Sequence, residues 1–254
     1  FETVIQNLQF IYRKDPNYYK DKILINCTIP FSTILLSLRE YFEKYPYLFG
    51  GRLNISDVSD GNEEFSNNHP PYPDRTKDLI RLEREYCEAH CAGKASSATF
   101  HNSFVRQLLE RSYLLFHRRE ILDPASNTLD RVNACFPGAR KVFVDIEGRL
   151  HMCERVYRQF SIGDVWKGYD VEKIREVFNQ FSAFMNSEEC RQCWAVQMCP
   201  NCYTVGIDGD FPSQIKQGLC INHRQRLETI ITNYCAVLER NPTAFDYMNN
   251  FKVS

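Results

Sequence analysis

Two closely spaced cysteine pairs constrain this chain more than any other feature. They stand in the run Cys190-Arg-Gln-Cys193-Trp-Ala-Val-Gln-Met-Cys199-Pro-Asn-Cys202, and Cys220 follows eighteen residues later. Upstream lie Cys135, in Ala-Cys-Phe-Pro-Gly, and Cys153, in His-Met-Cys-Glu. Thiolates are soft, strongly donating ligands, and a short Cys-x-x-Cys loop lets two sulfurs converge on one centre without straining the backbone. Seven such cysteines exceed the four ligands of a single structural site. The pattern predicts two metal centres.

Composition narrows the function classes. Lys plus Arg is 31 and Asp plus Glu is 32, so no net field draws the chain toward nucleic acid or a lipid surface. No apolar run reaches the roughly 18 residues that span a bilayer, and no signal-peptide pattern opens the sequence. Eleven cysteines could form disulfides in an exported protein. The odd count and the metal-type spacing favour a reducing cytoplasm instead. Phe1 falls inside a helical pattern, as expected of a fragment's start.

The first sixty residues alternate between two periods. Val4, Ile5, Leu8, Ile11 and Tyr12 share one helical face, with Thr3 near the N-cap position, and Asp15-Pro16-Asn17 ends that helix. Ile23 to Ile29 is a mostly apolar, β-branched run that suits a buried parallel strand. Ile34, Leu35, Leu38, Tyr41 and Phe42 give a second helix, and Arg52 to Val58 a second strand. Helix, strand, helix, strand is the rhythm of an α/β barrel or a doubly wound sheet. Two strands close neither, so the expectation is a remnant whose other strands lie elsewhere.

Residues 60–76 are polar and proline-rich, a loop or domain boundary. Helical spacing returns from Thr76 to about Ile121. Val142, Val144 and Ile146 alternate with polar residues, Glu147-Gly148 makes a turn, and Leu150 and Met152 alternate back toward Cys153, as in a hairpin. Such a hairpin brings Cys135 and Cys153 together at its open end. Val171, Ile174, Val177, Phe178 and Phe181 form a helix before the cysteine run. Leu227, Ile230, Ile231, Tyr234 and Leu238 form another, which stops near Asn241-Pro242.

Cys135-Phe-Pro-Gly, the hairpin, Cys153-Glu154, Ile162-Gly163-Asp164-Val165 and the Cys-x2-Cys-x5-Cys-x2-Cys run together resemble the SPASM domain. That domain is the C-terminal extension of radical S-adenosylmethionine enzymes that modify ribosomally made peptides and proteins. The resemblance covers about residues 131–225. It implies a fold of α/β class: residues 1–60 as the second half of a partial (β/α) barrel, 61–130 as a helical linker, 131–225 as the SPASM domain and 226–254 as a C-terminal helix. By the same resemblance, Cys190, Cys193, Cys199 and Cys220 hold an outer auxiliary 4Fe–4S cluster. Cys135, Cys153 and Cys202 hold an inner one. The intact enzyme would bind S-adenosylmethionine and a third 4Fe–4S cluster. It would act on a precursor peptide and draw electrons from a reductant such as flavodoxin or ferredoxin, in the cytoplasm, with no nucleic-acid or membrane partner.

The sequence departs from the family pattern twice. No fourth cysteine follows Cys135 between Phe136 and Met152, which leaves the inner set one protein thiolate short. In thioether-forming relatives such an opening accepts a substrate cysteine. That favours a maturase that joins a cysteine sulfur to a carbon, of the sactipeptide or ranthipeptide type. Also missing is Cys-x3-Cys-x2-Cys, the motif that holds the S-adenosylmethionine-cleaving cluster. Cys87-Glu-Ala-His-Cys91-Ala-Gly-Lys94 has Lys94 where the third cysteine belongs, so Cys87 and Cys91 read as helix residues one turn apart.

Several single residues carry expectations. Glu154 is the candidate acid–base group, its pKa raised by a neighbouring anionic cluster; otherwise it is a surface carboxylate paired with Arg155 or Arg158. Asn26 is the candidate S-adenosylmethionine contact. Trp194 reads as an apolar lid over the outer cluster, His151 as a surface histidine, and Cys27 and Cys235 as small core residues. Against iron stands a structural zinc knuckle with His223 nearby, and against catalysis a non-catalytic zinc- or cluster-binding module that only recognises a partner peptide. A sulfatase-type maturase that oxidises Cys or Ser is the other enzyme reading.

Overall fold

In the computed structural model, residues 2–50, 53–57, 70–118, 134–156, 161–205 and 213–250 are described. They fall into two compact units, Phe1–Glu120 with Ile230–Ser254, and Ile121–Thr229.

The first unit opens with helix α1 (Glu2–Lys14), whose acidic start and basic end suit the helix dipole. Thr3 lies inside it rather than at its cap. Asp15 ends α1 and begins a helix the sequence did not announce: its Oδ1 accepts the N–H of Asn17 at 3.0 Å and of Tyr18 at 2.9 Å. That caps α2 (Pro16–Lys22), with proline at its first position. Strand β1 (Ile25–Ile29), α3 (Leu35–Glu43), α4 (Pro46–Phe49) and strand β2 (Leu53–Asp57) follow. The strands pair in parallel from Ile25↔Leu53 to Ile29↔Asp57, as the alternation predicts.

Their burial differs from the expectation. Ile29 and Leu53 are buried, but Asn26, Thr28 and Asn54 on the opposite face are exposed. A parallel strand with both faces covered reads as unbroken apolar residues, and Asn26 and Thr28 interrupt that pattern. Among the described residues this is the unit's one sheet, and no barrel closes.

Helices α5 (Arg75–Cys91), α6 (Ala98–His101) and α7 (Phe104–His117) supply much of the core. Leu82, Tyr86, Phe104 and Tyr113 are almost fully buried alongside Leu48. The described part of the expected linker is therefore packed into the same unit as the first sixty residues. Phe245 completes this core, stacked on Tyr234 at 4.8 Å and on His90 at 4.8 Å between ring centroids. Around it, His90 Nε2 meets the Tyr247 hydroxyl at 3.0 Å, that hydroxyl donates to Glu110 at 2.8 Å, and Arg106 donates to Glu110 at 2.6 Å. Buried polar groups are tolerated when they satisfy one another in this way.

The second unit is an antiparallel sheet ordered β3-β4-β5-β6: β3 (Phe143–Val144), β4 (Arg149–His151), β5 (Ser161–Asp164) and β6 (Gly168–Tyr169). The predicted hairpin is β3–β4, turning at Gly148, whose φ of +74° suits glycine. Val144 and Ile146, which alternate with polar residues, are both exposed. The inner face is carried by Leu150, Met152 and Ile162. Against it lies α8 (Val171–Met185), capped by the Asp170 carboxylate and burying Val177, Phe181 and Met185. Helix α9 (Glu188–Arg191) then opens the cysteine run and carries Cys190. Helix α10 (Ser213–Arg240) follows it, starting well before the predicted Leu227 and ending, as predicted, before Asn241-Pro242.

Candidate metal centre

The cysteine run has almost no extended backbone. It is wound into consecutive turns in which the N–H of Cys193 bonds the carbonyl of Cys190 at 3.2 Å, that of Val196 the carbonyl of Cys193 at 3.1 Å, and that of Cys199 the carbonyl of Val196 at 3.2 Å. Cys190, Cys193 and Cys199 line a cavity of about 490 Å³ whose remaining thiol, Cys220, comes from α10. These are the four residues assigned to the outer centre. Burial pushes the Cys199 thiol above its ordinary pKa, and Cys220, Cys190 and Cys193 push it further. The neighbouring thiols oppose ionisation of Cys199, so a bound cation would stabilise its thiolate.

His223 and Arg224 complete the cavity wall from α10. His223 is turned by a hydrogen bond from its Nε2 to the carbonyl of Met198 at 3.0 Å. Trp194 is half exposed, and the wall beside it is made by Ala195 and Val196; the expected indole lid is not formed.

The three inner cysteines are less closely gathered. Cys135 is exposed, while Cys153 and Cys202 are half-buried. Cys135 and Cys202 both act on Tyr203, whose hydroxyl is pushed up to about 12 by burial and then by those two thiols. Cys153 ends the hairpin and packs on the second unit's core beside Leu150 and Met152. Among the described residues, no three His, Cys, Asp or Glu side chains close on one point as they would around a single bound ion.

His151 overturns its expectation. It is 1 % exposed, not on the surface, and its Nε2 meets the Asp145 carboxylate at 3.0 Å. Asp145 also accepts the backbone N–H of Glu147 and of Arg149, each at 2.9 Å, and the Arg149 Nε–H at 2.8 Å. Alternation along an ideal hairpin does not reveal such a hub, because it forms between a turn residue and a strand residue. The usable signal was an Asp opening a turn that a Gly closes.

Glu154 is exposed, and both its oxygens accept from Lys141 Nζ at 2.9 Å. That ammonium holds the carboxyl below its usual range. Its partner is Lys141, not Arg155; Arg158 lies outside the described residues. Asn26 is exposed on β1, its Oδ1 accepting from Asn54 Nδ2 at 3.1 Å. Cys87 and Cys91 lie one turn apart on α5, half-buried, with Cys87 Sγ 3.6 Å from the Tyr113 hydroxyl. Cys27 packs on the core, whereas Cys235 is exposed rather than buried. No helix among the described residues is long and apolar enough to cross a membrane. In the comparisons with known proteins, no family matches this chain, and neither a curated protein nor a solved structure is significantly similar to it.

Proposed function

We propose that this chain is the auxiliary-cluster part of a cytoplasmic radical S-adenosylmethionine enzyme that modifies a ribosomal precursor peptide. One observation carries the reading: Cys190, Cys193, Cys199 and Cys220, from a loop and a separate helix, face one cavity. All-thiol donor sets select soft metals and iron–sulfur clusters. In a second set, Cys135, Cys153 and Cys202, only Cys202 shares the loop with the first, directly after Cys199, which suits two centres held at a fixed separation. When bound, the clusters would carry electrons, and S-adenosylmethionine with a third cluster, supplied from outside Cys87-to-Lys94, would provide the radical. The chain's own residues would hold the clusters.

Formation of a cysteine thioether is the reaction we propose from the three-cysteine inner set, since an open position there suits a substrate sulfur. Oxidation of a Cys or Ser side chain, as in sulfatase maturation, is the second reading. A non-catalytic zinc module accounts for the outer four cysteines but leaves the inner set without a role.

Anaerobic reconstitution with ferrous iron and sulfide tests the proposal. About eight irons and eight sulfides per chain are expected from two 4Fe–4S clusters, and no 5′-deoxyadenosine should form from S-adenosylmethionine. Anaerobically purified protein that carries stoichiometric zinc and refuses iron would overturn it in favour of the zinc module.

A further inference from the structure

One face of α10 changes character along the helix. Positions 220, 223, 227, 230, 234 and 237 follow the alternating three- and four-residue spacing of a single helical stripe. From Leu227 onward that stripe is apolar: Leu227, Ile230 and Val237 are buried, and Tyr234 packs on the first unit's core. Ahead of Leu227 it presents Cys220 and His223, which line the thiol cavity with Arg224. None of the side chains at 218–226 is buried, and Leu219 and Ile221 are 38 % and 48 % exposed.

Local preference does little to hold these turns helical. Gly218 sits inside the helix although a Cβ there would meet nothing within 4 Å. Packing does not require the glycine, and its backbone freedom weakens the helix. The first turn of α10 has no acidic residue to meet the helix dipole. A short stretch with no buried apolar residue is marginal as a helix in water. His223 adds one tie to the cysteine run, from Nε2 to the carbonyl of Met198 at 3.0 Å. Cys220 is the residue of this stretch assigned to the outer centre.

We infer that a metal centre held by Cys220 keeps residues 218–226 of α10 helical, so that loading the centre and forming this half of the helix are one event. The metal stands where the later turns have a hydrophobic core. Binding free energy at a ligand appears as order in the segment that supplies it, while the half from Leu227 is held by its own burial. The inference rests on the reading that Cys190, Cys193, Cys199 and Cys220 hold a metal, but not on which metal. Its consequence is a check on loading. Arg224 and Arg226 lie in the segment that a metal-free chain leaves open to proteases and a loaded chain withholds.

Amide hydrogen exchange of the whole chain under anaerobic, reducing conditions tests this. Metal-free protein is compared with protein loaded by ferrous iron and sulfide, or by zinc alone. Residues 218–226 should exchange about tenfold faster or more in the metal-free chain, with trypsin cutting after Arg224 and Arg226. Residues 230–240 and α8 should be unchanged. Cys220→Ala should leave 218–226 in fast exchange even with metal added. Gly218→Ala should slow exchange there about fivefold in the metal-free chain, the advantage of alanine over glycine in a helix. Equal exchange of 218–226 with and without bound metal would overturn the inference and leave the outer-centre reading intact. Equal loss of protection in α8 would also overturn it, because the metal would then hold the whole second unit rather than this helix half. Protection by zinc in a chain that refuses iron would support the inference and overturn the iron–sulfur proposal. A chain that binds neither would overturn both. The wild-type comparison decides even if Cys220→Ala does not fold.

Discussion

Asp145, in the turn of the hairpin, and His151, on its return strand, lie 3.0 Å apart, with side chains only 4 % and 1 % exposed. Burial alone would raise the Asp145 carboxyl, but its hydrogen bonds from His151, Arg149 and the turn backbone outweigh that effect and hold it well below the usual carboxylate range. The turn is thus organised around an ionised group, and a buried charge persists only when its lone pairs are used. Asp145→Ala should lower the unfolding midpoint of the second unit far more than Glu147→Ala, which removes only an exposed partner of Arg149. Near-ultraviolet circular dichroism during urea unfolding reads this difference; equal effects of the two changes would show that the hub contributes nothing.

The first unit should weaken in mild acid. His90 is fully buried and bonds the Tyr86 carbonyl at 2.8 Å. Burial lowers its pKa from 6.5 to about 4. As pH falls below 6.5 the unfolded chain takes up a proton that the folded chain refuses, so stability declines until pH reaches about 4, where this contribution levels off. Its full size is on the order of 3–4 kcal/mol. Urea unfolding at pH 7 and pH 4.5 measures it. His90→Gln should flatten this part of the profile even if it lowers stability at every pH.

The interleaving of the two cysteine sets makes opposite predictions for neighbours three residues apart. Cys199→Ala should remove the outer cluster and Cys202→Ala the inner one, each leaving about four irons per chain by cluster stoichiometry. Cys199 lines the thiol cavity with Cys190, Cys193 and Cys220, whereas Cys202 is coupled with Cys135 to Tyr203. Iron and sulfide analysis with EPR distinguishes the products. Loss of the same signal in both variants would mean that a single centre uses both sulfurs.

How much was legible in the sequence depended on whether short-range periodicity governed the residue. α3, β1, β2, the hairpin and α8 were readable because one apolar face repeats at the helix or strand period. The gathering of Cys190, Cys193 and Cys199 was readable because short turns fix their approach. α2 was not, because Pro16–Lys22 carries little apolar pattern and depends on the Asp15 cap. The one-sided sheet, the burial of His151 and the exposure of Val144, Ile146 and Cys235 were hidden for another reason. Each depends on which neighbouring element covers the face, and that information lies in tertiary packing rather than in spacing. Lys141 as the partner of Glu154 is likewise a cross-hairpin contact thirteen positions away.

Two glycines of the sheet give a final, graded prediction. Gly163 has φ +142°, and a Cβ there would overlap the Gly168 carbonyl oxygen and come within 2.9 Å of Tyr169 Cα, both on the paired strand β6. Neither backbone atom can rotate away, so Gly163→Ala combines conformational strain with a steric conflict and should cost about 3 kcal/mol or more. Gly168 has φ +80° but nothing within 4 Å of its added Cβ. Gly168→Ala therefore meets strain alone, about 1–2 kcal/mol. Thermal unfolding of the two variants should rank them in that order. The ranking matters for the site because β5, where Gly163 lies, pairs with the β4 strand that carries His151 toward Cys153. If Gly163→Ala were as mild as Gly168→Ala, the close approach of β5 and β6 would not be a feature of the folded protein.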